Sequence, residues 1–192
     1  MEDLIIALDE RLADVGSTLT YERHIDLDTI EFGDREFALP HGADIDVALT
    51  NAGEGILVTG IVRADLVGTC DRCLDEARFD VAGEVDEYFL FHEPDEDFFD
   101  EDEEEGPDYA LVGADSTIDL RDTVLGALCL DIPYVVLCRE DCKGLCPVCG
   151  ENLNHVDCGH AAEMEREREE ARIASSPFAV LKNLNFGDAD DA

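Results

Sequence analysis

The cysteine block at residues 138–150 constrains this chain more than any other feature of its sequence. It holds four cysteines, separated by three, three and two residues, and a second pair, Cys70 and Cys73, lies upstream. A Cys-x-x-Cys step followed by glycine makes a tight turn that aims both sulfurs and nearby backbone N–H groups at one tetrahedral ion, about 2.3 Å from each sulfur. Cys146, Cys149 and Gly150 fit this geometry best, so the block predicts a thiolate metal site.

Disulfides and redox chemistry are the alternatives to a metal. The N-terminal residues lack the basic, apolar and small-residue order of a secretory signal, so the sequence predicts a cytoplasmic chain. Reducing conditions there disfavour a disulfide framework of eight cysteines. A thioredoxin-like site needs a lone Cys-x-x-Cys that opens a helix after a strand, and neither pair has this setting. Zinc is favoured over an iron–sulfur cluster, because the short spacing suits a single ion.

The candidate ligands can be named, but the sequence leaves open whether they hold one ion or two. Cys146 and Cys149 form the best-defined pair, and His160 is a further candidate just downstream. Three pairs of cysteines can complete a site with them: Cys138 with Cys142, Cys142 with Cys158, or Cys70 with Cys73.

The remaining cysteine and most other histidines are predicted to have no site role. Cys129 lies on an apolar helix and is predicted to be a small core residue. His24, His41 and His92 lie outside the cysteine clusters and are predicted to be ordinary surface or hydrogen-bonded histidines. The sequence shows no repeat, no catalytic motif and no apolar run that would span a membrane, so no small-molecule substrate is predicted.

The chain is strongly acidic, with 49 acidic against 13 basic residues and a net charge of −36. Eleven acidic residues lie at 93–108, a run that would repel itself and stay solvated. The other 38 are spread over the rest of the chain, which indicates adaptation to concentrated salt, where screening shrinks the Debye length to about 3 Å. The alternative is that the acidic surface binds basic partners.

Such a charge disfavours general binding to a phosphate backbone, which depends on lysine and arginine. Arg139 and Lys143 nevertheless lie inside the cysteine block beside Glu140 and Asp141, and Arg72 lies between the upstream cysteines. These three basic residues are the predicted contacts to RNA or to another partner. The alternative is that they only neutralise thiolates around the ion.

Periodicity predicts an α+β fold with an antiparallel sheet between about residues 19 and 91, a core helix at about 119–131, and a small cysteine-rich metal-binding lobe with C-terminal helices. The glycines of residues 51–55 predict a hairpin turn, and Cys70 with Cys73 falls near the next reversal. The alternating apolar residues of the strands form three runs: Ile45, Val47 and Leu49; Ile56, Val58, Val62, Ala64 and Leu66; and Phe79, Val81, Val85, Phe89 and Phe91.

Four segments are predicted to form one composite domain. They are a mainly β region at 1–92, an acidic disordered loop at 93–110, a core helix with the cysteine-rich segment at 111–160, and a charged helix with a short docking helix at 161–192. Thr117 or Asp119 can cap the core helix, and Pro133 ends it. Its apolar residues recur every four positions: Leu120, Val124, Leu128 and Ile132.

Several blocks of this sequence resemble the YceD-like large ribosomal RNA subunit accumulation proteins. They are Cys70-Asp-Arg-Cys73-Leu74, the helix from Asp119 to Pro133, residues 137–154 with all four block cysteines, and Pro177-Phe178-Ala-Val-Leu181-Lys. The resemblance runs in order from about residue 19 to residue 184. It implies a bacterial or plastid factor needed for normal levels of large-subunit (23S) ribosomal RNA, with no established catalytic activity.

Two features depart from the family pattern. The usual Cys-x-Cys after the block is Cys158-Gly-His160 here, and the insert at 93–108 is more acidic than expected, which is assigned to salt adaptation. The sequence therefore predicts a non-catalytic ribosome-biogenesis factor with a structural zinc site, whose partner is large-subunit ribosomal RNA, a ribosomal protein or the pre-ribosome. The alternatives are a metal-stabilised protein-interaction module or an acidic chaperone of a basic ribosomal protein. A thiol redox or metal-dependent enzyme is the weakest class, because four protein ligands leave no open coordination position.

Overall fold

The computed structural model describes residues 4–93 and 109–175. The chain divides into two compact units, Met1–Cys70 with Asp75–Arg139, and Asp71–Leu74 with Glu140–Ala192. Residues 94–108 of the predicted acidic loop lie outside the described residues, as does the predicted docking helix around Phe178, Leu181 and Leu184. The predicted division of the chain at residues 92, 110 and 160 stays a prediction.

Nine strands, one α-helix and a short 3-10 helix (Glu10–Leu12) build the described part of the first unit. Seven strands form one sheet, in which β6 pairs with β5, β4 and β7, while β1 and β9 form a separate pair. All pairings are antiparallel except the short one between β7 and β8, which confirms the predicted antiparallel sheet. The strands are β1 (Ile5–Ala7), β2 (Thr18–Ile25), β3 (Thr29–Phe32), β4 (Arg35–Ala38), β5 (Ala43–Asn51), β6 (Gly55–Thr69), β7 (Glu76–Leu90), β8 (Ala110–Leu111) and β9 (Thr117–Asp119).

The 15-residue strands β6 and β7 form the longest pairing of the sheet. They pair along their whole length, from Gly55 opposite Leu90 to Thr69 opposite Glu76. Every second side chain of a strand points to the same face, and the predicted apolar residues of β5, β6 and β7 are buried there except Phe79, which is half-buried. Phe91 lies just beyond β7 and is also half-buried. The long pairing ends at the turn that carries Cys70 and Cys73.

Helix α1 (Arg121–Asp131) packs its apolar residues into the core of the first unit. Leu120, Val124, Leu128 and Ile132 are all buried, and the helix ends before Pro133, as predicted. The predicted cap was only partly right. Thr117 and Asp119 belong to β9, and the capping position is Leu120, which offers no side-chain acceptor. The carboxylate of Asp119 instead reaches forward and accepts the backbone N–H of Arg121 at 3.1 Å.

The contact between α1 and β7 depends on a glycine. A Cβ atom at Gly83 would overlap the backbone carbonyl of Ala127 in α1. One turn further along, the N–H of Ala82 donates a hydrogen bond of 2.7 Å to the carboxylate of Asp131. The helix backbone therefore lies directly on the strand at this point, which only the residue without a side chain permits.

The second unit buries very few side chains. Its helix α2 (His160–Ser175) is exposed or half-exposed wherever its side chains are described, and Glu169 pairs with Arg172 at 2.7 Å. Within the described part of this unit, the buried side chains are those of three cysteines: Cys73, Cys142 and Cys146. An apolar core of ordinary residues is thus missing from the described part of this unit. No helix among the described residues is long and apolar enough to cross a membrane.

The exposed face of the sheet places like charges opposite each other. Asp65 lies directly across from Asp80, and Glu22 lies across from Asp46. Directly opposed like charges destabilise a strand pair. Asp44 differs, because it lies opposite Arg63 and its carboxylate is 2.7 Å from the imidazole of His24.

Replacing Gly83 by alanine tests the helix–strand contact. We expect Gly83→Ala to lower the free energy of unfolding by about 1–3 kcal/mol, because the new methyl group displaces the α1 backbone. Gly126→Ala is the matched control on α1 itself, since a Cβ there meets nothing within 4 Å. It should be neutral or stabilising by up to about 1 kcal/mol. Chemical denaturation measures both, and equal effects of the two substitutions would contradict the packing.

Reversing the charge of Asp65 tests the role of salt. Asp65→Lys should raise the melting temperature by about 2 °C in dilute buffer, because it turns a repulsive cross-strand pair into an attractive one. The gain in melting temperature should fade at about 1 M potassium chloride, where screening weakens both the original repulsion and the new attraction. Asp44→Lys changes the net charge equally but removes attractive neighbours, so it should not stabilise. A gain with both substitutions would mean that net charge alone, not the local pairing, sets the response.

Candidate metal centres

The first cluster of possible ligands consists of Cys70, Cys73, Cys138 and Cys142. Their four sulfur atoms all lie within 4.8 Å of one another, and all but the half-buried Cys138 are buried. Four sulfurs bound at about 2.3 Å to one tetrahedral ion stand about 3.8 Å apart. The cluster therefore needs only small adjustments to surround a single ion.

The turn between β6 and β7 delivers the first two of these cysteines. The backbone N–H of Cys70 donates to the carbonyl of Asp75 at 2.8 Å, which closes the turn directly after the end of β6. Leu74 adopts a positive φ of 63° there, a conformation that non-glycine residues rarely take. The tight closure brings both sulfurs to one side of the turn.

The second cluster consists of Cys146, Cys149, Cys158 and His160, with ligand atoms again within 4.8 Å of one another. The Nδ1 atom of His160 lies 3.9 Å from the sulfur of Cys146. Cys146 is buried, Cys149 is exposed, and the other two are half-buried. Three thiolates and one imidazole nitrogen form a ligand set that is typical of tetrahedral structural zinc.

Backbone N–H groups prepare the sulfur of Cys146 for a cation. The N–H groups of Cys149 and Val148 donate to it, and they lower the pKa of the Cys146 thiol to about 6. The N–H of Glu151 donates to Cys149, but desolvation and the neighbouring sulfurs of Cys146 and Cys158 raise the pKa of that thiol on balance. Neighbouring thiolates disfavour each other's ionised form, and a cation among these sulfurs would offset that repulsion.

A short loop gives the second cluster its geometry. Leu145 and Asn152 form a bridge, and inside it the N–H of Cys146 donates to the carbonyl of Glu151 at 2.8 Å. The N–H of Gly150 donates back to the carbonyl of Cys146, also at 2.8 Å. Gly150 has a φ of +75°, which its lack of a side chain permits. The sequence pattern of Cys-x-x-Cys followed by glycine thus makes the expected turn.

Asn154 is a part of the site that sequence reasoning did not single out. Its Nδ2 group donates to the sulfur of Cys142 at 3.3 Å, and its Oδ1 atom accepts the backbone N–H of Lys143 at 2.8 Å. The Oδ1 atom of Asn152 accepts a hydrogen bond of 2.9 Å from the backbone N–H of Asn154. An amide donor on a cysteine sulfur favours the thiolate without adding a basic residue. In the sequence, this role of Asn154 was indicated only by the position of a polar amide residue shortly after the cysteine turn.

The three basic residues predicted as partner contacts have different surroundings. The guanidinium of Arg72 donates to the carbonyl of Cys142 at 3.0 Å, and the carbonyl of Arg72 accepts the N–H of Leu145 at 3.0 Å. Arg72 thus braces the loop that carries Cys142. Arg139 and Lys143 are both exposed.

The residues predicted to have no site role lie apart from both clusters. Cys129 is half-buried, and its burial raises the pKa of its thiol. His24 lies beside Asp44, and His41 and His92 are exposed. Within residues 4–93 and 109–175, none of these four belongs to a group of metal-binding side chains.

The grouping of the ligands differs from all three predicted completions of Cys146 and Cys149. Cys158 and His160 complete that pair, while Cys138 and Cys142 meet the upstream cysteines Cys70 and Cys73. The local hydrogen bonds explain the difference. Those of Arg72 hold the Cys142 loop at the upstream cysteine turn, and the Leu145–Asn152 bridge turns the chain back so that the start of α2 reaches Cys146.

Comparisons with known proteins cover the part of the chain that carries both clusters. The family model described as "Large ribosomal RNA subunit accumulation protein YceD" matches residues 58–185, which include every residue of both clusters. An uncharacterized protein of Mycobacterium tuberculosis is 39% identical over 118 residues, 60% of this chain and 55% of the relative. An uncharacterized protein of Mycobacterium leprae is 32% identical over 117 residues, 61% of this chain and 51% of the relative. The chain spans about half the length of these curated relatives, and no solved structure gives a significant match.

Proposed function

The chain belongs to the family of the large ribosomal RNA subunit accumulation protein YceD, and from this membership we propose that it supports accumulation of large-subunit ribosomal RNA in the cytoplasm as a non-catalytic factor. The observation that carries the proposal is the family match, because it covers most of β6, the strands that follow it, helix α1 and both cysteine clusters. The ligand sets support a structural role. Each cluster offers four protein ligands, which leaves a tetrahedral ion no open position for a substrate.

We propose that both clusters hold zinc. Cys70, Cys73, Cys138 and Cys142 would hold one ion, and Cys146, Cys149, Cys158 and His160 the other. Zinc supplies structural cross-linking here, since a site with four protein ligands adds folding free energy directly. The N–H groups that point at Cys146 and the amide that points at Cys142 support this, because both favour thiolates.

The direct partner is proposed to be large-subunit ribosomal RNA or a protein of the pre-ribosome. The net charge of −36 restricts any contact with phosphate to small basic areas of the surface. Arg139 and Lys143 are the residues proposed for that contact, because both are exposed and neither belongs to a ligand cluster. The opposed carboxylates on the sheet face favour a second candidate function, in which the protein shields a basic ribosomal protein.

The metal proposal predicts two zinc ions per chain, one for each cluster. Cys149→Ser should release about one of them and destabilise the second unit, because a missing ligand opens the tetrahedral site. Cys129→Ser is the matched control, since Cys129 lies outside both clusters and should leave the zinc content unchanged. Elemental analysis of the purified variants measures this. A fully folded wild-type protein that carries no metal and has reactive thiols would refute the proposal.

The functional proposal predicts a lower ratio of large- to small-subunit ribosomal RNA in cells that lack the protein. The double substitution Arg139→Glu with Lys143→Glu should reproduce this loss without releasing zinc, because neither residue is a proposed ligand. The control is Arg78→Glu with Arg172→Glu, an equal charge change at two exposed sites away from the clusters.

Quantification of the large- and small-subunit ribosomal RNAs distinguishes direct contact with RNA from the shielding of a basic ribosomal protein. A nearly silent Arg139 and Lys143 double variant, together with a protein as the cross-linked partner, would favour the shielding function. An unchanged ratio in the deletion strain would contradict both versions.

A further inference from the structure

Strand β7 has a second edge that is only partly used. On its first edge it pairs with β6 along its whole length. On the other edge, the N–H of Ala82 donates to Asp131 at 2.7 Å, and the carbonyl of Leu90 accepts the N–H of Val112 at 2.9 Å. Backbone groups of alternate residues point to the same edge, so those of Glu84 and Asp86 point outward too. Among the described residues, no strand pairs with this edge at either position.

A groove of about 630 Å³ runs beside this free edge. The edge of β7 forms one wall, and helix α1 forms the other. The side chains of Val85 and Phe89 lie on the buried face of β7, toward α1. Leu130, which is 86% exposed at the end of α1, adds an apolar side chain to the groove, and Tyr109 adds an aromatic ring with a polar hydroxyl group. The half-buried Glu87 also lies on this face of β7, and α1 adds Asp122 and Thr123. The side of the groove toward the helix is therefore partly apolar and partly acidic.

The groove is acidic on its other side. There Glu84 and Asp86 contribute carboxylates in addition to those of Glu87 and Asp122 on the helix side, and within the described residues no lysine, arginine or histidine lines the groove. Asp119 also lines the groove but is paired with Arg121. A phosphate backbone would be repelled here, whereas lysine and arginine side chains would be attracted. The charge thus points to a basic protein segment and not to RNA.

We propose that this groove binds an extended segment of another protein, in which basic and apolar residues alternate, by adding it to β7 as a further strand. An unpaired edge offers its N–H and C=O groups to an incoming strand. Successive side chains of that strand would point to opposite faces. The basic ones would face Glu84 and Asp86, and the apolar ones would face α1.

The free edge limits the length of the bound segment. Glu84 and Asp86 lie between the Ala82–Asp131 hydrogen bond and the β8 pairing that begins at Phe89. At about 3.4 Å per residue this leaves room for an added strand of about five residues. The site lies within the first unit, uses no cysteine ligand, and is independent of the proposed role in ribosomal RNA accumulation.

A fluorescent eight-residue peptide of alternating lysine and valine tests the proposal by anisotropy with the full chain at about 0.15 M salt. We expect the double variant Glu84→Lys with Asp86→Lys to weaken binding about tenfold or more, because it reverses the charge beside the free edge. The matched control is Asp65→Lys with Asp80→Lys, which makes the same charge change on the same exposed sheet face outside the groove. It should weaken binding about twofold at most. Equal losses in both double variants would overturn the proposal, since net charge alone would explain the binding.

Modified peptides test the added strand itself. Methylation of alternate backbone amides removes the donors that would pair with β7, so the methylated peptide should lose most of its affinity. A peptide of alternating glutamate and valine should not bind. Unchanged binding of the methylated peptide, or displacement of the lysine–valine peptide by a single-stranded RNA oligonucleotide of equal length, would overturn the proposal. Thermal melting of each protein variant confirms that it is folded during the assay.

Discussion

The described part of the second unit buries cysteine side chains in place of an apolar core, so its stability depends on what those sulfurs bind. Cys73, Cys142 and Cys146 are the buried side chains of its described part. Ordering a chain costs conformational entropy that a small unit normally offsets with apolar burial. Here the proposed ions would supply that free energy through bonds to clustered thiolates. Hydrogen bonds to sulfur from backbone N–H groups and from Asn154 fit this role, because they favour the charged ligand in a strongly acidic chain.

The first unit obtains its stability in the ordinary way and presents its cysteines at a defined place. The pairing of β6 with β7 buries alternate apolar side chains on one face and ends at the turn of Cys70 and Cys73. The opposite face carries carboxylates, some of them directly opposed. Apolar burial must therefore outweigh a repulsion that weakens as salt rises. Carboxylates of the charged face, those of Glu84 and Asp86, also line the groove beside the unpaired part of the β7 edge.

Local patterns predicted the fold well where they were long. Alternation over β5, β6 and β7 and the four-residue repeat of α1 fixed these elements, because each repeat buries several side chains on one face. The hairpin of β3 and β4 was missed, since each strand buries only one residue, Ile30 or Phe37. The sequence also named the candidate ligands, yet not their grouping, because cysteine spacing limits only neighbours in the chain. The hydrogen bonds of Arg72, which hold the loop of Cys142, have no sequence pattern of their own, and Asn154 was indicated only by its place shortly after the cysteine turn.

The glycine contact between α1 and β7 restricts how the first unit can move. Gly83 leaves a gap one residue wide, and the backbone of Ala127 occupies it. If α1 slid along β7 by one position, the helix backbone would meet the Cβ of a neighbouring strand residue. Packed helices commonly accommodate change through small sliding motions. That motion is blocked at this contact, and the hydrogen bond from Ala82 to Asp131 fixes the same position. The glycine contact and this hydrogen bond thus oppose sliding of α1, which favours a constant position of the groove wall along β7.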